Sequence, residues 1–256
     1  RDYDRAIDNY NHAIKIDAGY ALAYYDRGVA YYTKGNYDQA LTDLSQAIKL
    51  DPKDALAFYN RGVTHIAKNE LDLAIADFDK SLKLDPKNAL AYFNRGVASG
   101  RKGAADAAIN DFNQAIKLDS KNAMAFFQRG LAYRGKGDTG NATADCDTAI
   151  RLDPKNPVVY YDRGRTYFER KDFDHAISDL NVAINIRPDY IDAFNVRGLA
   201  YNAHGDSDRA IADFDQAIRI DPKGAAAYAK RGEAYQRKGD FGLAMADFDA
   251  AIKSNP

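Results

Sequence analysis

Arginine stands directly before a glycine once every 34 residues, at Arg27, Arg61, Arg95, Arg129, Arg163, Arg197 and Arg231. A guanidinium offers five donors in a planar fork, which suits carboxylates, phosphates or aromatic faces. Sixteen residues after each arginine comes an aspartate: Asp43, Asp77, Asp111, Asp145, Asp179, Asp213 and Asp247. An ion-pair ladder is therefore expected in preference to an anion site. Other reactive residues do not converge. His12, His65, His175 and His204 fall at four different points of the 34-residue interval, so no metal site is expected. Cys146 has no partner for a disulfide and reads as an inert core thiol. The glycine-dense "RGKGDTGN" at 134–141 follows no strand pattern, so it reads as a turn before a weak helix start, not a phosphate loop. With no catalytic constellation and no cofactor motif, the chain is not expected to be an enzyme.

The interval itself names the elements that must position these groups. With position 1 at residues 21, 55, 89, 123, 157, 191 and 225, position 4 is Tyr24, Phe58, Tyr92, Phe126, Tyr160, Phe194 and Tyr228. Position 8 is always glycine, position 20 always alanine, and position 32 usually proline. Near position 15, "KGNY" or "KGDT" supplies a left-handed glycine cap and then an N-cap residue. The "LDPKN" segments stop a second helix and offer Asp54, Asn88, Asn122 or Asn156 as the next N-cap. Two helices of about 13 residues, roughly 20 Å each, fit every interval. One such pair cannot bury its apolar face alone, whereas stacked pairs can.

This pattern resembles the tetratricopeptide repeat along the whole chain, with an aromatic, glycine, alanine and proline at the matching places. The leucine expected before the glycine is here always arginine. The resemblance implies an all-α fold, a right-handed α-α superhelix or solenoid. Residues 1–20 would form the second helix of an incomplete leading repeat, and 21–256 seven repeats in one continuous array. It also implies that the first helices line a concave groove receiving a peptide segment or helix of a partner protein.

On the first helix, positions 4, 7, 8 and 11 share one face, so each arginine points inward with the aromatics. On the second helix, position 23 lies on the buried face. Each guanidinium can then reach the aspartate of its own unit, that of the preceding unit, or both. On the first second helix, Asp38, Gln39, Thr42, Ser45, Gln46 and Lys49 are expected to form a solvated outer face.

Lysine and arginine total 36 against 37 aspartates and glutamates, for a net charge of −1. That balance gives no general attraction to nucleic acid. No apolar run reaches the roughly 20 residues a membrane helix needs, so membrane insertion is not expected. The start "RDYDRA" reads as a fragment or processed product. A cytoplasmic location is expected, with the periplasm as the alternative.

Function must then reside on surface. The first helices carry apolar residues on their second side too, at positions 2, 5, 6, 9, 12 and 13, beginning with Leu22, Tyr25, Asp26 and Val29. The candidate groove comprises Tyr25, Asp26 and Val29; Tyr59, Asn60 and Val63; Phe93, Asn94 and Val97; Phe127, Gln128 and Leu131; and Tyr161, Asp162 and Arg165. Tyr59, Phe93 and Phe127 are expected to take apolar side chains, and Asp26 and Asp162 basic ones. Asn60 and Asn94 match the asparagine ladder of the tetratricopeptide region in protein O-linked glucosaminyl transferases, which this row resembles. Either they bind a peptide backbone or they hydrogen-bond neighbouring helices. The two-carboxylate clamp of chaperone-binding members wants lysine and asparagine where Tyr25 and Val29 stand, so that device is not expected. A non-catalytic interaction scaffold is the leading reading. The alternatives are the targeting arm of a larger enzyme, or a solenoid that self-assembles end to end.

Overall fold

In the computed structural model, which describes residues 2–254, the described residues form fifteen α-helices and no strand. Two compact units are formed, Arg1–Ala132 and Tyr133–Pro256. The first contains α1 (Tyr3–Ile16), α2 (Ala21–Thr33), α3 (Tyr37–Leu50), α4 (Ala55–Ala67), α5 (Leu71–Leu84), α6 (Ala89–Arg101) and α7 (Ala105–Leu118). Helix α8 (Ala123–Gly135) carries the boundary. The second contains α9 (Thr139–Leu152), α10 (Pro157–Glu169), α11 (Phe173–Ile186), α12 (Ile191–His204), α13 (Ser207–Ile220), α14 (Ala225–Lys238) and α15 (Phe241–Ser254). Within each unit a helix packs chiefly on its neighbours in sequence, in the stacked-pair order the period predicts.

Local chemistry sets the boundaries. Asp54 accepts from the amides of Leu56 and Ala57, and Asn88 from that of Ala91, satisfying donors that a helix start leaves open. At the turn inside each pair, Gly35, Gly103, Gly205 and Gly239 adopt φ of +81°, +81°, +95° and +86°. Asn69 and Lys171 hold the same left-handed conformation, at φ 63° and 62°, without glycine's freedom. "RGKGDTGN" is a turn as expected: α8 ends at Gly135, Gly137 takes φ +79°, and Asp138 caps α9 through the amide of Asn141.

The position-8 glycines are small for a measurable reason. A Cβ on Gly62 would lie 2.9 Å from the Phe78 ring, and one on Gly198 2.7 Å from that of Phe214. The first helix thus lies directly on the large side chain of the second. Ala40, Leu44, Ala74, Phe78, Ala108 and Phe112 form the core of the first unit, and Ala176, Leu180, Ala183, Ala210, Phe214 and Ala217 that of the second. Cys146 takes the place of such a large side chain, is buried, and burial pushes its thiol pKa up to about 12, which keeps it protonated.

Each arginine of the ladder has one partner in its own helix pair and one in the pair before it. Arg27 grips Asp43 through Nε at 2.6 Å and Nη2 at 2.7 Å, and Arg95 grips Asp111 at 2.9 and 2.6 Å. Arg163 with Asp179, Arg197 with Asp213 and Arg231 with Asp247 repeat this fork in the second unit. The remaining nitrogen, Nη1, turns to the preceding pair. Its acceptor is not that pair's position-23 aspartate but position 25: Asn11 for Arg27, Ser45 for Arg61, Asp79 for Arg95 and Asp147 for Arg163. Geometry explains the correction, since both oxygens of Asp43, Asp77, Asp111, Asp179, Asp213 and Asp247 are already taken by the arginine of the same pair. Ser45, expected on a purely solvated face, is an acceptor at 3.1 Å from Arg61. Each guanidinium also lies over the position-4 ring one turn before it, 5.5 Å away for Arg27 on Tyr24. Such a network fixes register more surely than it adds net stability.

A second, exposed ladder joins Lys34 to Asp4, Lys68 to Asp38, Lys102 to Asp72 and Lys238 to Asp208. Exposed pairs of this kind contribute little.

Candidate functional site

In the first unit, the sequence-predicted groove residues lie on α2, α4, α6 and the start of α8. They form a floor and a rim. The floor is aromatic: Tyr59 packs on Phe78 and Phe93 on Phe112, ring centroids 5.9 Å apart in both cases. Tyr25, Tyr59 and Phe93 are half-buried, as are Val29, Val63, Val97 and Leu131. Phe127 departs from expectation. It is 6% exposed and belongs to the core, so it has no surface left to receive a ligand side chain.

The asparagines are anchored to the floor. Asn60 Nδ2 donates to the Tyr25 hydroxyl at 2.9 Å and to the Leu56 carbonyl at 3.0 Å, and Asn94 Nδ2 donates to the Tyr59 hydroxyl at 3.0 Å. Of the two sequence readings, bonding to a neighbouring helix is therefore realised for the amide nitrogen. Bidentate capture of a peptide group is corrected for Asn60, whose two amide hydrogens go to Tyr25 and Leu56, whereas Asn94 spends one of its two on Tyr59. What remains is a composite pair. A tyrosine hydroxyl that accepts one bond keeps its own hydrogen to donate, and the amide oxygen stays an acceptor. Burial pushes the pKa of Tyr25 and Tyr59 up, so both stay protonated. Gln128, at the same position on α8, is half-buried.

The rim is a row that position 2 supplies. Leu22, Leu56, Leu90 and Met124 are 52%, 52%, 55% and 41% exposed. Scattered exposed leucines are ordinary, but these four side chains share one repeat position on α2, α4, α6 and α8, the first three of which adjoin. The candidate groove read from the sequence comprises positions 5, 6 and 9, and position 2, though on the same side of the helix, lies outside it. The row's mark in the sequence is an aliphatic side chain at position 2 in four successive repeats, one turn before position 6. Asp26 sits half-buried at one end, and among the described residues no lysine or arginine pairs with it. Burial accordingly raises its pKa.

The corresponding face of the second unit is charged. Asp162 is 5% exposed and accepts from Arg134 Nη2 at 3.0 Å. Its expected role of drawing in a basic ligand residue is corrected, because Arg134 occupies it and protein covers it. Burial still raises its pKa against the pull of Arg134 and Arg165. Arg165 is exposed and pairs with Glu169 at 3.2 Å. Tyr161 packs tilted against Tyr190, ring centroids 5.0 Å apart, with the Arg187 guanidinium 4.4 Å over the Tyr190 ring. Where the first unit has a tyrosine and an asparagine, α12 and α14 carry Asn195 and Lys230. Asn195 Oδ1 is buried with no donor among the described residues, and burial lowers the pKa of Lys230.

Among the described residues no group of histidine, cysteine, aspartate and glutamate could hold a metal ion. His65 does gather two carboxylates, Glu70 at 2.7 Å and Asp77 at 3.8 Å, but Asp77 is committed to Arg61. No described helix is long and apolar enough to cross a membrane.

Family models agree with the helix-pair geometry. Models described as tetratricopeptide or TPR repeats match residues 25–89, then 2–35, 101–137, 164–205 and 198–239, and finally 124–156 and 225–256. The chain belongs to the tetratricopeptide repeat family. No curated protein sequence matches it. Among solved structures, this tetratricopeptide repeat protein is similar to MamA at 30% identity and TM-score 0.59, over 62% of this chain and 93% of that one. It is similar to YrrB, described as a TPR protein with an unusual peptide-binding site, at 25% identity and TM-score 0.61, over 72% and 95% of the two chains. A tetratricopeptide repeat protein from Parabacteroides merdae, 20% identical, shares the fold at TM-score 0.71 over 92% and 93%.

Proposed function

We propose that this tetratricopeptide repeat protein is a non-catalytic scaffold whose first-unit groove holds a peptide segment of a partner protein. The observation that carries the proposal is the exposed strip Leu22, Leu56, Leu90 and Met124 beside the anchored Tyr–Asn pairs. The strip supplies apolar area, and the pairs supply a donor and an acceptor for a backbone. YrrB's peptide-binding site supports the same reading by similarity. Residues 21–256 are taken as one array of seven repeats preceded by a half repeat. Asp162 and Arg165 fall outside the contact surface on this reading.

Peptides selected on the protein from a displayed random library provide the test. Leu56→Asp with Leu90→Asp is expected to cut their affinity at least tenfold, since each leucine contributes on the order of 1 kcal/mol when covered. The thermal melt should not move, because both residues are exposed. Asn60→Ala with Asn94→Ala is expected to weaken the same peptides by about five- to thirty-fold. Unchanged affinity in the leucine variant overturns the groove.

Self-association is a second reading, favoured by α15. Phe241, Met245 and Ile252 lie on one stripe of that helix and are 65%, 65% and 66% exposed. Light scattering that shows a strict monomer at millimolar chain would dismiss it.

A further inference from the structure

The groove reading leaves open which backbone conformation the bound segment has, and the repeat spacing bears on it. Adjacent first helices of the first unit touch, because Tyr25 on α2 bonds Asn60 on α4 and Tyr59 on α4 bonds Asn94 on α6. Helices in such contact have axes about 8–10 Å apart. The leucine strip and the Tyr–Asn pairs therefore recur at about that interval. A ligand in register must present an apolar side chain and a free backbone group to the same side at each step.

Three regular backbones can be compared against that requirement. A β-strand covers the step in three residues, but its side chains alternate, so every third one faces away. An α-helix rises about 1.5 Å per residue, and the six residues that cover the step leave the next side chain about 240° round the axis. Its backbone groups are also already bonded internally, leaving nothing for Tyr25, Tyr59, Asn60 and Asn94. A polyproline II helix has three residues per turn and about 3.1 Å rise, hence one turn per roughly 9 Å, with every third side chain on one face. Its backbone makes no internal hydrogen bonds, so its carbonyls can accept the tyrosine hydroxyls. A non-proline N–H in each turn can donate to the asparagine oxygen. Charge sets one end: Asp26 is half-buried on this face and unpaired among the described residues. A basic residue there would be matched.

Resting on the groove reading above, we propose that the first unit binds a polyproline II segment. Its aliphatic residues, spaced three apart, lie along Leu22, Leu56 and Leu90, and a basic residue meets Asp26. Recognition of this conformation by aromatic-floored grooves has a general physical basis, because the segment is pre-ordered and loses little entropy on binding.

The test uses labelled synthetic peptides and fluorescence anisotropy on the whole chain. The probe has three Pro-Pro-Leu units with an arginine at one end, made with the arginine at either end. Controls of matched composition place the leucines two apart, or seven apart in an alanine-rich helix. One of the period-three probes is expected to bind at least tenfold more tightly than either control. A single glycine inserted between its second and third leucines should cost about tenfold. Asp26→Asn should weaken the arginine peptide several-fold and leave its glutamine counterpart unchanged. Equal or tighter binding of a control overturns the polyproline II proposal. So does failure of every period-three probe while library-selected peptides still bind, an outcome that leaves the groove itself intact. Should Leu56→Asp with Leu90→Asp affect no peptide at all, both readings fall together.

Discussion

The two first-helix faces are built on one plan and finished differently. Both units carry the forked arginine–aspartate pairs, Arg95 with Asp111 in the first and Arg163 with Asp179 in the second. On the first face, uncharged Tyr–Asn pairs sit beside exposed leucines. On the second, the equivalent positions hold a buried carboxylate under an arginine, an amide oxygen with no donor among the described residues, and a desolvated lysine. The lesson is that scaffold and surface are specified by separate positions. Positions 7, 8, 20 and 23 repeat without exception, whereas positions 2, 5, 6 and 9 change between units.

The sharpest way to break this comparison is to remove what both units share. Arg95→Leu and Arg163→Leu are each expected to cost about 3 kcal/mol, near the lower figure for stranding a buried charge, since each arginine is about a fifth exposed. The loss should appear in urea unfolding followed by helical circular dichroism. Arg95→Leu strands Asp111 and frees Asp79, not Asp77, which stays with Arg61. A loss confined to one unit would mean that the ladder is not common scaffold.

A smaller effect is expected from converting the second face to the chemistry of the first. Asn195→Tyr with Lys230→Asn replaces the orphaned oxygen and desolvated ammonium with a tyrosine–asparagine pair. It should stabilise by about 1 to 2 kcal/mol, the usual worth of satisfying a buried polar group. Slower amide hydrogen exchange in α12 and α14 would register the gain, and faster exchange would show that those positions do not correspond.

The smallest effect concerns pH. The pKa of Asp26 is raised by burial, so its charged form is disfavoured in the folded chain. Below the ordinary carboxylate range, near pH 3, the group is neutral in both states and contributes nothing. As pH rises through that range the penalty develops, and it is complete above the folded pKa. Asp26→Asn should therefore match the wild type at pH 3 and melt slightly higher at pH 7. The reverse order would assign Asp26 an unseen stabilising partner.

Much of the scaffold was legible because its residue types never vary. Arginine sixteen residues before aspartate, with glycine between helices that must touch, admits few three-dimensional readings. The second acceptor of each arginine was hidden because position 25 varies among asparagine, serine and aspartate, as Asn11, Ser45 and Asp79 show. Any acceptor serves there, so no single letter marks it. The Tyr25–Asn60 bond was obscured for another reason. It joins residues 35 apart on neighbouring helices, and the tyrosine already had a sufficient explanation as an aromatic. Phe93 and Phe127 look alike in sequence but differ in burial, a distinction that depends on neighbouring helices and not on the residue.

The divided grip of each arginine bears on how such a chain could grow. Arg61 holds Asp77 of its own pair and Ser45 of the pair before it. A tandem duplication of residues 55–88 would thus deliver plug and socket in one copying event. The new copy's arginine would find Asp79 waiting, and its own position-25 acceptor would face Arg95. No compensating substitution elsewhere would be required. Length, and with it the number of contact steps offered to a partner, could change by a single genetic event while every seam keeps the same chemistry.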